Sequence, residues 1–254
     1  MNIVVCVKHA TDENELQSDE FGKPRLNPVA RKMATFDRNA VEAAVKIRDS
    51  IGGSITVVSL GDVDCKKTVK EALAMGGDRG VVILSNSEFD ALMTSYYLAK
   101  AIQKIGNTDL ILCSEGASDT YVGFFGPMLA EWMNLPFIGY ARDIEITEHT
   151  VKCEEQLEDR IETIVANLPA VVSVVSEINE PRYTTLLQII QASKKSIEEI
   201  GLESLKSPDF PYSQVEVIEV NAETMNRKRI IYEGSPEATA KMLIAALDSE
   251  GITT

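Results

Sequence analysis

The stretch of this sequence best suited to holding a ligand reads Ser114-Glu115-Gly116-Ala117-Ser118-Asp119-Thr120-Tyr121-Val122-Gly123. It lies between an apolar strand-like run at residues 110–113 and a helical pattern carrying Leu129, Ala130 and Met133. Small and hydroxyl side chains at the carboxyl end of a strand suit a phosphate, and free N–H groups at a helix start attract anions. The same composition also makes an ordinary connecting loop, so the stretch by itself leaves both readings open. Other devices of catalysis have no counterpart. No Gly-x-Gly-x-x-Gly follows a strand, no phosphate loop ends in Gly-Lys-Ser/Thr, and no nucleophile elbow joins a strand to a helix. A metal centre or triad would have to be built around His9 or His149, the only histidines. His9, just past the first strand, is expected to be a plain surface or core residue, and His149, in a turn at residues 147–150, to lie in solvent.

Cys6, Cys65, Cys113 and Cys153 are too widely spaced for a metal knuckle or a redox dithiol and read as reduced, mostly buried thiols. The formal net charge of −14 repels phosphate backbones, and no Lys/Arg cluster offsets it, which argues against nucleic acid as a partner. The acidic residues read mainly as solvated faces. No run approaches the roughly 18 to 20 apolar residues that cross a bilayer, and residues 1–8 are strand-like with no cleavage site. The expectation is a cytoplasmic protein with no direct membrane insertion.

What must position the loop is visible in the apolar pattern. Residues 3–7, 55–60, 81–84 and 110–113 are short runs rich in β-branched side chains, as in strands covered on both faces. Between them lie helical stripes, Ala40, Val41, Ala44 and Ile47, then Leu92, Tyr96, Ala99 and Ile102. Gly52-Gly53 and Gly76-Gly77 stand where helices stop, and Asp37 and Asp90 where N-caps belong. After Pro136, residues 138–146, 151–157 and 161–166, followed by the apolar 171–175, read as antiparallel strands closing the sheet. From Ser204 the texture is linker-like, with Pro208 and Pro211, a short strand at 215–220 and a last helix. Ser235 caps that helix, Pro236 opens it, Glu237 complements its dipole, and Ala240, Leu243, Ile244 and Leu247 form one apolar face. Such a face needs its own domain or another chain to bury it. With 254 residues and 44% hydrophobic content, one large core and a smaller appendage are within reach without disulfides or metal. The expected fold is α/β, a mostly parallel doubly wound sheet with antiparallel closing strands and a C-terminal arm, divided into residues 1–203 and 204–254.

Four stretches, taken in order, carry a resemblance over nearly the whole chain. Residues 3–8 resemble an opening strand that is Val-Ala-Val-Lys in many relatives, and Ala72-Leu73-Ala74-Met75-Gly76-Gly77-Asp78-Arg79 is similar to Ala-Leu-Ala-Met-Gly-Ala-Asp-Arg. Leu168-Pro169-Ala170-Val171-Val172 recurs in the same place. Asn179-Glu180-Pro181-Arg182-Tyr183-Thr184-Thr185-Leu186 is close to Asn-Glu-Pro-Arg-Tyr-Ala-Thr-Leu, a specific signature. Together they resemble the beta (small) subunit of electron-transfer flavoproteins, with a sheet of the adenine nucleotide alpha hydrolase-like kind. The resemblance implies a non-catalytic electron-carrier subunit in a heterodimer whose alpha subunit holds most of the FAD. It implies a buried AMP in this chain, or FAD instead in the bifurcating type. It further implies that acyl-CoA or other dehydrogenases deliver electrons, that a quinone-linked oxidoreductase accepts them, and that the terminal helix packs on the alpha subunit. Residues 179–196 become a recognition loop, with Tyr183, Leu186 and Ile189 docking on partners; the competing reading makes these three core residues of a helix.

Carried over position by position, the nucleotide site takes in Cys6, Phe36, Asp37, Leu60, Ala117, Ser118, Asp119, Thr120, Tyr121, Val122, Gly123, Phe124 and Phe125. Phe36 matches an aromatic that approaches the flavin edge, or else staples the first long helix. Asp119 matches an acidic position that caps the turn or orders hydroxyl groups. There are departures: Ala34-Thr35 stands where many relatives have Asn-Pro, Gly116 replaces a glutamine, and Phe124 replaces another polar residue. Phosphate contacts would therefore pass to backbone N–H groups, or to Ser118 and Thr120. The loop lacks the Asp-Gly-Asp-Thr run of bifurcating relatives, which favours AMP and the ordinary electron-shuttling type. Lys194 and Lys195 follow the octet, but Ser193 and Ser196 break the relatives' longer basic run. Two rivals from other classes are a stand-alone adenine-nucleotide-binding module and an ATP-using enzyme of the hydrolase-like group.

Overall fold

The apolar runs become the middle of one sheet. The computed structural model describes residues 1–19, 21, 23–25, 29–87, 89–207, 212–213, 215–220 and 228–252. In chain order the elements are β1 (Asn2–Cys6), β2 (His9–Thr11), β3 (Gln17–Ser18), β4 (Pro24–Arg25), β5 (Arg31–Met33), α1 (Asp37–Ile51), β6 (Ser54–Gly61), α2 (Cys65–Met75), β7 (Arg79–Leu84) and α3 (Ala91–Ile105). They continue with β8 (Leu110–Ser114), α4 (Phe125–Met133), β9 (Phe137–Ile146), β10 (Thr150–Gln156), β11 (Ile161–Asn167), β12 (Ala170–Val174), α5 (Leu186–Ala192), β13 (Ile197–Gly201) and α6 (Pro236–Ser249). Nine strands make one sheet in the order β11-β10-β9-β12-β8-β1-β6-β7-β13. From β9 to β13 every pairing is parallel, while β10 runs antiparallel to both β9 and β11.

Alternation along each strand assigns the two faces. Ile3 and Val5 of β1 join Val57, Leu112 and Val172 beneath α1 and α2. Val4 and Cys6 turn the other way, with Val58, Ile111 and Val171, beneath α3 and α4. β8 and β12 are buried along their whole length, as parallel strands covered on both faces must be. From β1 the chain winds outward through β6 and β7. Then α3 carries it back to β8, on the far side of β1, and the helices change face at that return. Right-handed crossovers require the change of face. Strand order therefore reverses between β1 and β8, and in open α/β sheets such a point leaves a crevice beyond the carboxyl ends of the strands.

Several boundaries follow the expected chemistry. Gly52 (φ 78°) and Gly76 (φ 140°) end α1 and α2. The Asp90 carboxylate accepts from Met93 N at 2.8 Å to cap α3, and Ser235 Oγ accepts from Ala238 N at 3.3 Å to cap α6. Four features differ from the sequence reading. β12, read among the antiparallel closing strands, pairs parallel with both β8 and β9, because its all-apolar run is buried on both faces inside the sheet. Asp37 is the first residue of α1 and not its cap, because its carboxylate is engaged elsewhere, as described below. Residues 215–220 form no strand; their alternation finds no ladder among the described residues, and Ser213 Oγ instead accepts from Val215 N at 3.3 Å. β13 extends the sheet beyond β7, although Ile-Glu-Glu-Ile-Gly reads as polar, because this edge strand buries only Ile200. The expected linker prolines, Pro208 and Pro211, lie outside the described residues.

Residues Met1–Gln17 with Arg25–Glu219 make one compact unit, and Ser18–Pro24 with Val220–Thr254 a second. In the second unit α6 buries no residue; Leu243 and Ile244 on its apolar face are about half exposed.

Candidate functional site

Three connections meet over the carboxyl ends of β1 and β8: residues 7–8, residues 34–36 leading into α1, and residues 115–124 between β8 and α4. Asp37 joins them. Its carboxylate accepts from Lys8 N at 2.6 Å and from Ser114 Oγ at 2.5 Å, linking both strand ends to the start of α1. The side chain is buried, at 4% exposure. Burial pushes the carboxyl up to about 6, and the Ser114 and Lys8 donors pull against that rise.

The loop is latched by its own polar groups. Asp119 accepts from Lys8 Nζ at 2.6 Å and from Thr11 N at 3.3 Å, Thr120 Oγ1 accepts from Lys8 Nζ at 3.1 Å, and Ser118 Oγ accepts from Thr35 N at 3.3 Å. Tyr121 N closes a turn on Ala117 O at 2.8 Å. Tyr121 sits at φ 42°, an uncommon conformation for a bulky residue, and Gly123 at φ 76°. The Tyr121 ring meets Phe36 edge to face, 6.0 Å between centroids, and lies against Gly116, where an added Cβ would come within 3.0 Å of a ring carbon. A larger side chain at that position would displace the ring, so Gly116 and Tyr121 form one local solution.

Beyond the turn a row of main-chain N–H groups is unengaged. Among the described residues no acceptor takes the N–H groups of Val122, Gly123, Phe124 or Phe125, and Phe124, the N-cap of α4, has no capping side chain. Such a row of donors at a helix start suits an anion. A phosphate-bearing ligand therefore fits this donor set. Lys8 Nζ spends two of its three N–H donors on Asp119 and Thr120, so the main-chain row is the larger free donor set.

Phe36, Asp37 and residues 117–125 thus come together at the β1/β8 edge. Cys6 reaches that edge only with its backbone; its thiol is buried beneath α3 and α4, and burial raises it as it raises Cys113. Leu60 lies half-buried near the end of β6, two residues past Val58, the register partner of Cys6. Sequence reasoning missed Lys8, Thr11 and Thr35 as members of the site. The signal for Lys8 was a lone cation directly after the apolar run at residues 3–7. His9 Nδ1 lies 2.9 Å from Thr68 Oγ1, His149 is exposed, and all four cysteines are free and buried. Among the described residues no group of acidic, histidine or cysteine side chains could hold a metal, and no helix is long and apolar enough to cross a membrane.

A second region follows β12. The Asn39 amide donates to Ser176 O at 2.9 Å and Asn179 O at 2.8 Å, and Asn179 Nδ2 donates back to Asn39 O at 3.0 Å. Arg182 forks onto Glu42, with Nε donating at 2.7 Å and Nη2 at 3.0 Å. Past these anchors the chain projects: Tyr183 is 97% exposed, Leu186 74% and Ile189 49%, so the three are not core residues. A reciprocal capping box, Thr185 with Gln188, starts α5 at Leu186. Lys195 Nζ donates to Leu73 O at 3.0 Å and Gly77 O at 2.6 Å, satisfying carbonyls at the end of α2.

Residues 28–205, which take in residues 34–36, the loop 115–124 and the segment after β12, match the family model described as the electron transfer flavoprotein domain. The chain is also 30% identical to the electron transfer flavoprotein subunit beta of Thermoanaerobacterium thermosaccharolyticum over 261 residues, an alignment covering 99% of this chain and 100% of that protein. With that match falling on a doubly wound sheet, a latched anion-ready loop and an anchored octet, the chain belongs to the electron transfer flavoprotein beta-subunit family.

Proposed function

We propose that this chain is the beta subunit of a heterodimeric electron-transfer flavoprotein that holds AMP at the β1/β8 edge and supports the FAD of an alpha subunit. One observation carries the reading: the unengaged N–H groups of Val122 to Phe125 stand at the reversal of strand order, where a doubly wound sheet accepts a nucleotide. Those groups would hold the phosphate. Lys8, Asp119 and Thr120 fix the loop that presents them, and Phe36 with Tyr121 borders it. FAD, when bound, supplies the electron-accepting chemistry. This chain does no bond chemistry of its own.

Tyr183, Leu186 and Ile189 would dock on donor dehydrogenases, acyl-CoA dehydrogenases or others, since an exposed apolar anchor held from behind fills a partner's pocket. A quinone-linked oxidoreductase would accept the electrons, in the cytoplasm. On this reading residues 1–203 form the nucleotide-binding domain, and residues 204–254 an arm whose terminal helix covers its exposed Leu243 and Ile244 on the alpha subunit. Coexpression with a large subunit tests the proposal. A stable yellow heterodimer with a flavin spectrum is expected; a stable, colourless complex lacking nucleotide would overturn it.

A further inference from the structure

The first two turns of α1 carry contacts to both regions. Asp37, the first residue of the helix, holds Lys8 N and Ser114 Oγ at the base of the nucleotide loop. Asn39 and Glu42 hold Asn179 and Arg182 at the base of the docking segment. From Asp37 to Glu42 the helix rises only about 7.5 Å. We propose that Asn39 and Glu42 are the positioning residues of the docking segment, and that the first two turns of α1 couple that segment to occupancy of the nucleotide loop. The inference rests on the assignments of the two regions made above.

The anchoring contacts are of the kind that sets geometry. Glu42 is 3% exposed and Asn39 6%. Burying a carboxylate is costly unless it is paired and bonded, and the Arg182 fork, with Arg182 N at 3.3 Å as a further donor, meets that requirement. Asn39 directs its amide at the main chain of the segment and receives the Asn179 amide in return, so the pair fixes where the segment leaves the body. No core does this instead, because Ala192 is the one buried residue of α5. Tyr183 and Leu186 follow Arg182 by one and four residues, so the direction in which they project is set by the fork. A ligand that orders residues 115–124 also orders Ser114 and Lys8, hence Asp37, and through it the turn that carries Asn39 and Glu42.

Hydrogen exchange on the full heterodimer, from milliseconds to minutes and with or without added AMP, tests this. AMP should slow exchange at residues 116–123 and also at 183–192. Glu42→Gln should speed exchange at 183–192 roughly tenfold, the effect of losing one charge-assisted pair. It should also abolish the AMP response there while leaving the response at 116–123 intact. Arg182→Lys, which keeps the charge but not the fork, should shift 183–192 in the same direction by less, and it decides the matter if Glu42→Gln does not fold. Unchanged exchange at 183–192 in the folded variant, or wild-type protection by AMP confined to 116–123, would overturn the coupling. AMP without effect at 116–123 would instead defeat the nucleotide assignment, and the coupling with it.

Discussion

Residues 115–124 and 176–192 both leave the carboxyl edge of the same sheet, after the neighbouring strands β8 and β12, and both are tied to the start of α1, yet they are built in opposite ways. The loop after β8 is latched by its side chains, Asp119 and Thr120 on Lys8 Nζ and Ser118 on Thr35 N, and leaves main-chain donors over. The segment after β12 fastens its polar groups to Asn39 and Glu42 and leaves Tyr183, Leu186 and Ile189 in solvent. A small anionic ligand is met by fixed N–H groups, a protein partner by apolar side chains on a rigid stalk. One edge can offer both because the intervening helix is polar on the turn where they approach.

Substitutions can sharpen or break this contrast, and the largest effect is expected at Asp37. Its carboxyl titrates near 6 in the folded chain instead of at the ordinary 3.8, so the native state binds the proton more tightly than the unfolded state. That contribution is whole below pH 3.8 and is lost as pH rises through about 6. Urea unfolding of Asp37→Asn, which does not titrate, should gain on wild type by about 3 kcal/mol across that window and then run level. A constant difference from pH 4 to 7 would show that Asp37 is not the buried junction described.

Arg182→Ala comes next. It leaves the buried Glu42 without its fork and, with Arg182 partly exposed, should cost roughly 2–3 kcal/mol in urea unfolding. Leu186→Ala is the counterpart on the projecting side. Stability should move by no more than about 0.5 kcal/mol, while kcat/KM for reduction by a donor dehydrogenase falls about 30-fold, the size of one hot-spot contact. Loss of flavin in the same variant would contradict a docking role. The smallest effect belongs to Lys8→Ala. The Lys8–Asp119 pair is 43% exposed on the lysine side, so unfolding should change by under about 1 kcal/mol, and nucleotide should be retained because main-chain donors hold it. Complete loss of nucleotide would move the grip from backbone to side chain.

The sheet was legible because its central strands are buried on both faces and so appear as unbroken apolar runs, as at residues 110–113. β13 was not, since an edge strand that buries Ile200 alone leaves almost no pattern. Residues 215–220 show the converse error: alternation without a neighbouring strand makes no ladder. An acidic residue suits either the N-cap or the first turn, and only the fold shows the Asp37 carboxylate turned inward to Lys8 and Ser114. The octet was recognisable as a unit, but its division into the anchors Asn179 and Arg182 and the projecting Tyr183 and Leu186 depends on Asn39 and Glu42, some 140 residues away in sequence. Lys8 and Thr35 joined the site for the same reason: their partners at 118–120 are adjacent only once β1 and β8 lie side by side.

The role of this chain turns on what the loop beyond β8 holds. Nucleotides released by denaturing the purified heterodimer, separated and counted against protein, should comprise one AMP and one FAD per complex. A complex that releases no AMP, or that releases a second FAD in its place, would contradict it.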